Sequence, residues 1–280
     1  MKNIEISFVK MTGAGNDFIL IDNRDDIYAI NWSLASPVLC NRRYGIGADG
    51  ILIIEKSPIS HFKMQYYNAD GSFGGMCGNG GRCSARYIMD DLSLNEIAFE
   101  SLNYLYKAEL VNANIKLQMK PPTAINIKKV INVLNESLKV QFVDTGSPHT
   151  VIFKQSMPVI IQKSFDLNGF KEIGPAVRYN EEFMPAGSNV NIVDIIDSHT
   201  ISMRTYERGV EDETLACGTG SVASAIVSAL VYGLIPPVTV VTQSGELLQV
   251  QFKNNGGNIS DVQLTGSAKK VFTGKYMLIE

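Results

Sequence analysis

The sequence predicts an α+β chain of two similar domains, and three observations carry the prediction. Segments such as Ile4-Glu5-Ile6-Ser7-Phe8 alternate apolar and polar residues, the period of a half-buried strand. Landmarks recur: Met64-Gln65-Tyr66-Tyr67-Asn68 matches Met203-Arg204-Thr205-Tyr206-Glu207 at an offset of 139 residues, and Cys77 matches Cys217 at an offset of 140. Thr12-Gly13 likewise precedes a strand as Thr145-Gly146 does, and Pro121-Pro122 punctuates the chain near its middle. Landmarks in one order at nearly one spacing imply an internal duplication. The domains are expected over residues 1–124 and 125–268.

In order, Ile4–Phe8 enters as a strand, and Lys10–Asp17 is a Gly-rich turn before the strand Phe18–Asp22. That turn lacks the Gly-Lys-Ser/Thr ending and following helix of a phosphate loop, so it is not assigned to nucleotide binding. Residues 33–44 are predicted helical and stopped by Gly45-Ile46-Gly47; Ile51–Glu55 and Phe62–Tyr67 are predicted strands. A Gly-rich loop, Asn68–Cys83, leads into a helix expected over Gly80–Asp91, followed by strands near 97–100, 104–110 and 114–119. The second half is expected to open with the strand Lys139–Val143, then Thr150–Phe153, a helix near 168–174, and strands Val190–Ile196 and Ile201–Tyr206. Glu207–Thr219 reads as a loop and Gly220–Tyr232 as a helix with Gly233 as its stop. Short strands, including Val238–Thr242 and Glu246–Phe252, complete the chain.

The 280 residues are 45% apolar and 19% charged with a net charge of −3, an ordinary globular composition. No basic stripe or Lys/Arg cluster points to nucleic acid or an anionic membrane. The N-terminus lacks an apolar signal core, and Ser221–Ile235 is too short to span a bilayer, so the reading is a soluble, cytoplasmic protein. Four cysteines without a Cys-x-x-Cys pair, and three histidines outside any cluster, do not make a metal site. Cys40 and Cys83 read as buried filler.

Cys77 and Cys217 read differently, because each opens a helical pattern in a Cys-Gly-x-Gly run. A thiol at a helix N-terminus sees the positive end of the dipole, which favours thiolate. The backbone N–H groups exposed beside Gly78 and Gly218 can hold a carboxylate. Two such ends brought together would place one sulfur on either side of an α-carbon, a thiolate–thiol pair suited to inversion at a carbon acid. One such loop is more often a helix cap; two in matching positions favour function. The competing class is a dithiol redox protein, whose usual spacing this chain does not have.

The residues also resemble the diaminopimelate epimerase family of pyridoxal-phosphate-independent amino-acid racemases. The resemblance covers most of the chain: Lys-Met-x-Gly-x-Gly-Asn-Asp-Phe at Lys10–Phe18, Gly-Ile-Gly-Ala-Asp at Gly45–Asp49, Asn-Ala-Asp-Gly-Ser at Asn68–Ser72, Met-Cys-Gly-Asn-Gly-x-Arg-Cys at Met76–Cys83, Glu-Arg-Gly at Glu207–Gly209 and Glu-Thr-Leu-Ala-Cys-Gly-Thr-Gly at Glu213–Gly220. Proline and hydroxyproline racemases share paired cysteines but carry a histidine where Asn79 stands. The resemblance implies domains that each wrap a mostly antiparallel sheet around a central helix, the tail 269–280 completing the first, with the site in the interdomain cleft. It implies cofactor-independent interconversion of L,L- and meso-diaminopimelate for lysine and peptidoglycan-precursor synthesis, commonly by a homodimer, with Cys77 and Cys217 as base and acid. Gly78, Asn79, Gly218 and Thr219 would offer N–H groups to the reacting carboxylate. Asn16, Asn68, Asn189, Glu207 and Arg208 would hold the substrate, with Arg208 suited to the distal carboxylate and Glu207 to the distal ammonium. His149 is expected to orient neighbours. The chain departs from the family in Ser147, where many members have asparagine, in Gly50, where some have glutamine, and in Val210-Glu211-Asp212-Glu213, which adds a residue and negative charge beside Glu207–Arg208.

Overall fold

The computed structural model describes residues 3–279 and divides into two compact units, Met1–Gln118 with Thr265–Glu280, and Met119–Leu264. In the first unit, β1 (Asn3–Gly13) and β2 (Asn16–Asp22) are followed by α1 (Trp32–Cys40), β3 (Gly50–Glu55), β4 (Phe62–Asn68), α2 (Gly78–Leu92), β5 (Glu96–Ser101), β6 (Tyr104–Val111) and β7 (Asn114–Gln118). A C-terminal strand, Lys269–Ile279, returns to pair antiparallel with β1. α2 packs against each of these strands. Its buried face includes Gly78, Gly80, Gly81, Ser84 and Ala85, side chains small enough for a sheet to close around the helix on several sides. α1 starts where the Asn31 side chain accepts from the Ser33 N–H. It buries Trp32, Ala35 and Leu39 against Ile6, Ile19, Ile51 and Leu278 on the other side of the sheet's strands.

The second unit runs through β8 (Ala124–Val133), β9 (Glu136–Asp144), β10 (Pro148–Phe153), α3 (Val159–Asn168), α4 (Phe170–Arg178), β11 (Asn189–Ile195), β12 (Thr200–Glu207), β13 (Asp212–Thr214), α5 (Gly218–Tyr232), β14 (Val238–Val241), β15 (Leu247–Asn255) and β16 (Asn258–Gly266); the C-terminal strand is β17. α5 is apolar or small on every face, the pattern of an enclosed helix, and packs against β8–β12, β14 and β15. Gly233, at φ 73°, ends it in the left-handed conformation with its N–H on the Ala229 carbonyl.

The duplication is visible in the strand pairings. From β1 to β6 they run antiparallel, parallel, antiparallel, parallel, antiparallel. The same alternation links β9, β10, β11, β12, β14 and β15. In each unit the central helix lies in the chain between the fourth and fifth of these strands.

Several expectations are corrected. The first helix stops at Cys40 rather than Tyr44, because the Asn41 side chain accepts from the Arg43 and Tyr44 N–H groups and diverts the backbone into a turn. The helix expected near 168–174 is two helices broken at Gly169, whose φ is 60°. The loop expected over Glu207–Thr219 contains β13, paired with β12. β8 was missed because Lys129 stands at a half-buried position and Val130 at an exposed one, which breaks the apolar–polar alternation of the sequence although burial alternates along the strand. The central helices start at Gly78 and Gly218, two residues before the expected starts. No helix among the described residues is long and apolar enough to cross a membrane.

Candidate active site

Each central helix begins on a cysteine. Cys77 and Cys217 are the N-cap residues of α2 and α5, both in extended backbone conformation. The first intrahelical acceptors are their carbonyls: Gly81 N–H donates to the Cys77 oxygen at 2.7 Å and Ser221 N–H to the Cys217 oxygen at 2.9 Å. The N–H groups of Gly78 and Asn79, and of Gly218 and Thr219, come earlier in the turn and have no acceptor within their own helix. Such N–H groups at the positive end of a helix dipole suit a carboxylate.

In the first unit, Gly80 N–H donates to the Cys77 sulfur at 3.4 Å. Asn79 is buried, donates its amide to Asn16 Oδ1 and accepts from the fully buried Arg82 guanidinium at 2.9 Å. Arg82 also reaches the Gly78 and Ser267 carbonyls, tying the start of α2 to the chain that precedes β17. Asn16 donates in turn to Asp49 at 3.0 Å. Arg42 bridges Asp49 and Asp17, and Lys10 pairs with Asp17 at 2.7 Å. Burial raises the Asp17 pKa, but Arg42 and Lys10 outweigh it and hold the carboxyl below its usual range. Asn68 ends β4, with its amide on Ser72 Oγ at 2.9 Å and its carbonyl accepting from Ser36.

Most glycines of Asn68–Cys83 lie against close neighbours. Gly71, Gly74, Gly75, Gly80 and Gly81 each have a protein atom within 3.0 Å of where a Cβ would stand. The Tyr66 ring lies against both Gly50 and Gly74.

In the second unit, a chain of hydrogen bonds ends on the Cys217 sulfur. Asn191 Nδ2 lies 3.1 Å from His149 Nδ1, His149 Nε2 lies 2.9 Å from Thr219 Oγ1, and Thr219 Oγ1 lies 3.5 Å from Cys217 Sγ. Burial, with Arg208 adding to it, pulls the His149 pKa down to about 3, so the ring is neutral. A second group forms around Asn189, whose amide donates to Ser147 Oγ and the Pro148 carbonyl and whose Oδ1 accepts from the Arg208 N–H at 2.8 Å. Glu207, at the end of β12, accepts from Thr214 Oγ1 at 2.9 Å, and Arg208 is exposed with Nη1 on the Ala186 carbonyl. Of the acidic residues beside Glu207–Arg208, Glu211 pairs with Arg178 at 3.1 Å and Glu213 with Arg204 at 2.6 Å.

The structure therefore joins Asn16 with Asn79, Ser147 with Asn189 and Arg208, and His149 with Thr219 and Cys217. Sequence reasoning missed Asn191, Arg82 and Asp49. For Asn191 a signal existed: Asn189 and Asn191 are polar residues in a strand whose first five residues are buried and otherwise apolar, and a buried amide there needs partners. Cys40 and Cys83 are buried, and burial pushes the Cys40 thiol up to about 11. Among the described residues no group of three or more His, Cys, Asp or Glu side chains could hold a metal ion.

A family model described as diaminopimelate epimerase matches residues 8–125 and 141–271. The chain is 39% identical to the diaminopimelate epimerase of Aquifex aeolicus, over 96% of this chain and 97% of that protein. It is also 39% identical to the diaminopimelate epimerase of a Hydrogenobaculum species, over 95% and 96% of the two chains. In fold, it is similar to a PhzF-family phenazine biosynthesis protein of Bacillus anthracis, with a TM-score of 0.73 at 13% identity, covering 99% of this chain and 100% of that one.

Proposed function

The chain belongs to the diaminopimelate epimerase family of isomerases, and on that premise we propose that it interconverts L,L- and meso-diaminopimelate with Cys77 and Cys217 as the acid–base pair and without a cofactor. The observation that carries the proposal is the repeated placement of a cysteine at the N-cap of the central helix in two units of matching strand order.

In the proposed reaction, one sulfur, as thiolate, takes the α-proton. The electron pair left on carbon is drawn toward the α-carboxylate, where the N–H groups of Gly78, Asn79, Gly218 and Thr219 meet the developing charge. The other sulfur, as thiol, delivers its proton to the opposite face. One proton leaves the substrate, one arrives, and the sulfurs exchange protonation states. Each sulfur has a hydrogen-bonding neighbour at its helix start, Gly80 N–H for Cys77 and the Thr219 hydroxyl for Cys217.

For the distal end of the substrate we assign Arg208 to the carboxylate and Glu207 to the ammonium, with Asn16 and Asn68 as further polar contacts. Asn189 contributes by fixing the Arg208 backbone and Ser147, since both its amide hydrogens are used on protein acceptors. The pairing of Glu211 and Glu213 with Arg178 and Arg204 supports this, because it keeps these two carboxylates bound to cations of their own. The proposal extends to a cytoplasmic homodimer serving lysine and peptidoglycan-precursor synthesis.

The test is turnover of L,L-diaminopimelate in deuterium oxide. Inversion is expected to bring one deuterium to the inverted α-carbon, and Cys77→Ala is expected to lower kcat by at least about a hundredfold. Undiminished turnover by Cys77→Ala sinks the two-thiol mechanism. Inversion of proline, with no action on diaminopimelate, sinks the substrate assignment.

A further inference from the structure

The two helix starts match in backbone but not in what meets the sulfur. On α2 the third residue, Gly80, turns its N–H onto Cys77 Sγ. On α5 the Cys217 side chain makes no such capping bond; the Thr219 hydroxyl lies 3.5 Å from its sulfur. At the position matching Thr219, Asn79 directs its side chain to Asn16 and Arg82 instead.

A hydroxyl differs from a backbone amide in that it can rotate and either give or accept. Its direction here is set by its neighbours. An asparagine Nδ2 can only donate, so His149 Nδ1 must accept. A neutral imidazole that accepts at Nδ1 carries its proton on Nε2, and that proton points to Thr219 Oγ1. Asn191 is held in this sense at its other end, because its Oδ1 accepts from Thr205 Oγ1 at 3.0 Å. With Thr219 Oγ1 already accepting from His149, its own proton is available to the sulfur.

We propose that Asn191 fixes His149 in the Nε2–H form so that the Thr219 hydroxyl donates to the Cys217 sulfur and stabilises its thiolate. Asn191 and His149 are then positioning residues, acting through Thr219 without touching substrate. The charged groups around the relay leave this direction intact. α5 carries no Asp, Glu, Lys or Arg. On β9, Asp144 accepts from the Gly146 N–H. At the end of β12, Glu207 is bonded to Thr214, while Arg208 disfavours a charged imidazole. The inference rests on Cys217 being a reacting sulfur.

Two measurements test it. The chain has three histidines, so nitrogen-15 NMR of ring-labelled full-length protein can assign each tautomer. His149 is expected with its proton on Nε2; a proton on Nδ1 overturns the proposal. The second readout is ultraviolet thiolate absorbance at pH 7, taken as the difference from Cys217→Ala. Thr219→Val, which keeps the shape and loses the donor, is expected to lower the Cys217 thiolate-to-thiol ratio about tenfold, the effect of one hydrogen bond to a charged group. Thr219→Ser is expected to restore it. An unchanged ratio in Thr219→Val overturns the proposal. Full epimerase turnover by Cys217→Ala would instead remove the two-thiol reading while leaving both spectroscopic results standing, so the two failures are distinguishable.

Discussion

His149 shows how one buried residue can be read in stability. Burial, with Arg208 adding to it, lowers its pKa from 6.5 to about 3. The folded protein therefore resists a proton that the unfolded chain accepts. Its contribution is complete above pH 6.5 and is lost as pH falls from there toward 3, by up to about 1.4 kcal/mol per pH unit. Asp17 and Asp22 are shifted below 3.8, so the stability they add is present above that value and is lost only at lower pH. Glu211 is likewise shifted below 4.5, so the interval from pH 6.5 to about 5.5 isolates the histidine. Urea unfolding of His149→Gln is expected to show a flatter stability-versus-pH slope in that interval than the parent chain. Equal slopes would mean His149 is not held neutral.

At the scale of the element, the starts of α2 and α5 make opposite demands on a third-position glycine. A Cβ on Gly220 would fall on Asn191 Oδ1 and lie 3.3 Å from Cys217 Sγ, whereas one on Gly80 would meet the mobile end of Leu52 at 2.8 Å. Gly220→Ala is therefore expected to cost about 1–3 kcal/mol in denaturant unfolding, and more than Gly80→Ala. Comparable losses would show that the Asn191 amide gives way easily. The cysteine-capped helix starts and the strands β2–β4 and β10–β12 were legible in sequence because short buried runs in β2, β3, β10 and β11, alternation in β4 and β12, and Gly-rich helix starts are local signals. α3 was missed and α4 was read only over its first residues, because the break at Gly169 splits the apolar pattern into two short halves. Asn191 escaped because its role depends on the parallel register that sets His149 beside Asn189, and register is a property of two strands.

At the scale of the whole molecule, the first unit is discontinuous. β17 supplies β1 with a partner along nearly its whole length, from Asn3 opposite Ile279 to Thr12 opposite Lys269. Deleting residues 269–280 is expected to remove cooperative unfolding of the first unit. A circular permutant that joins the old ends by a short glycine linker and opens at Gly256-Gly257, an exposed turn, is expected to fold and turn over substrate, as paired strands lie only about 5 Å apart. A stable deletion variant would show that β17 is dispensable. The same pairing sets an order on synthesis. A ribosome delivers residues 119–264 before β17 exists, so the unit begun first is the one finished last. Until β17 emerges, β1 presents an open edge, and the nascent chain is then exposed to joining a neighbour.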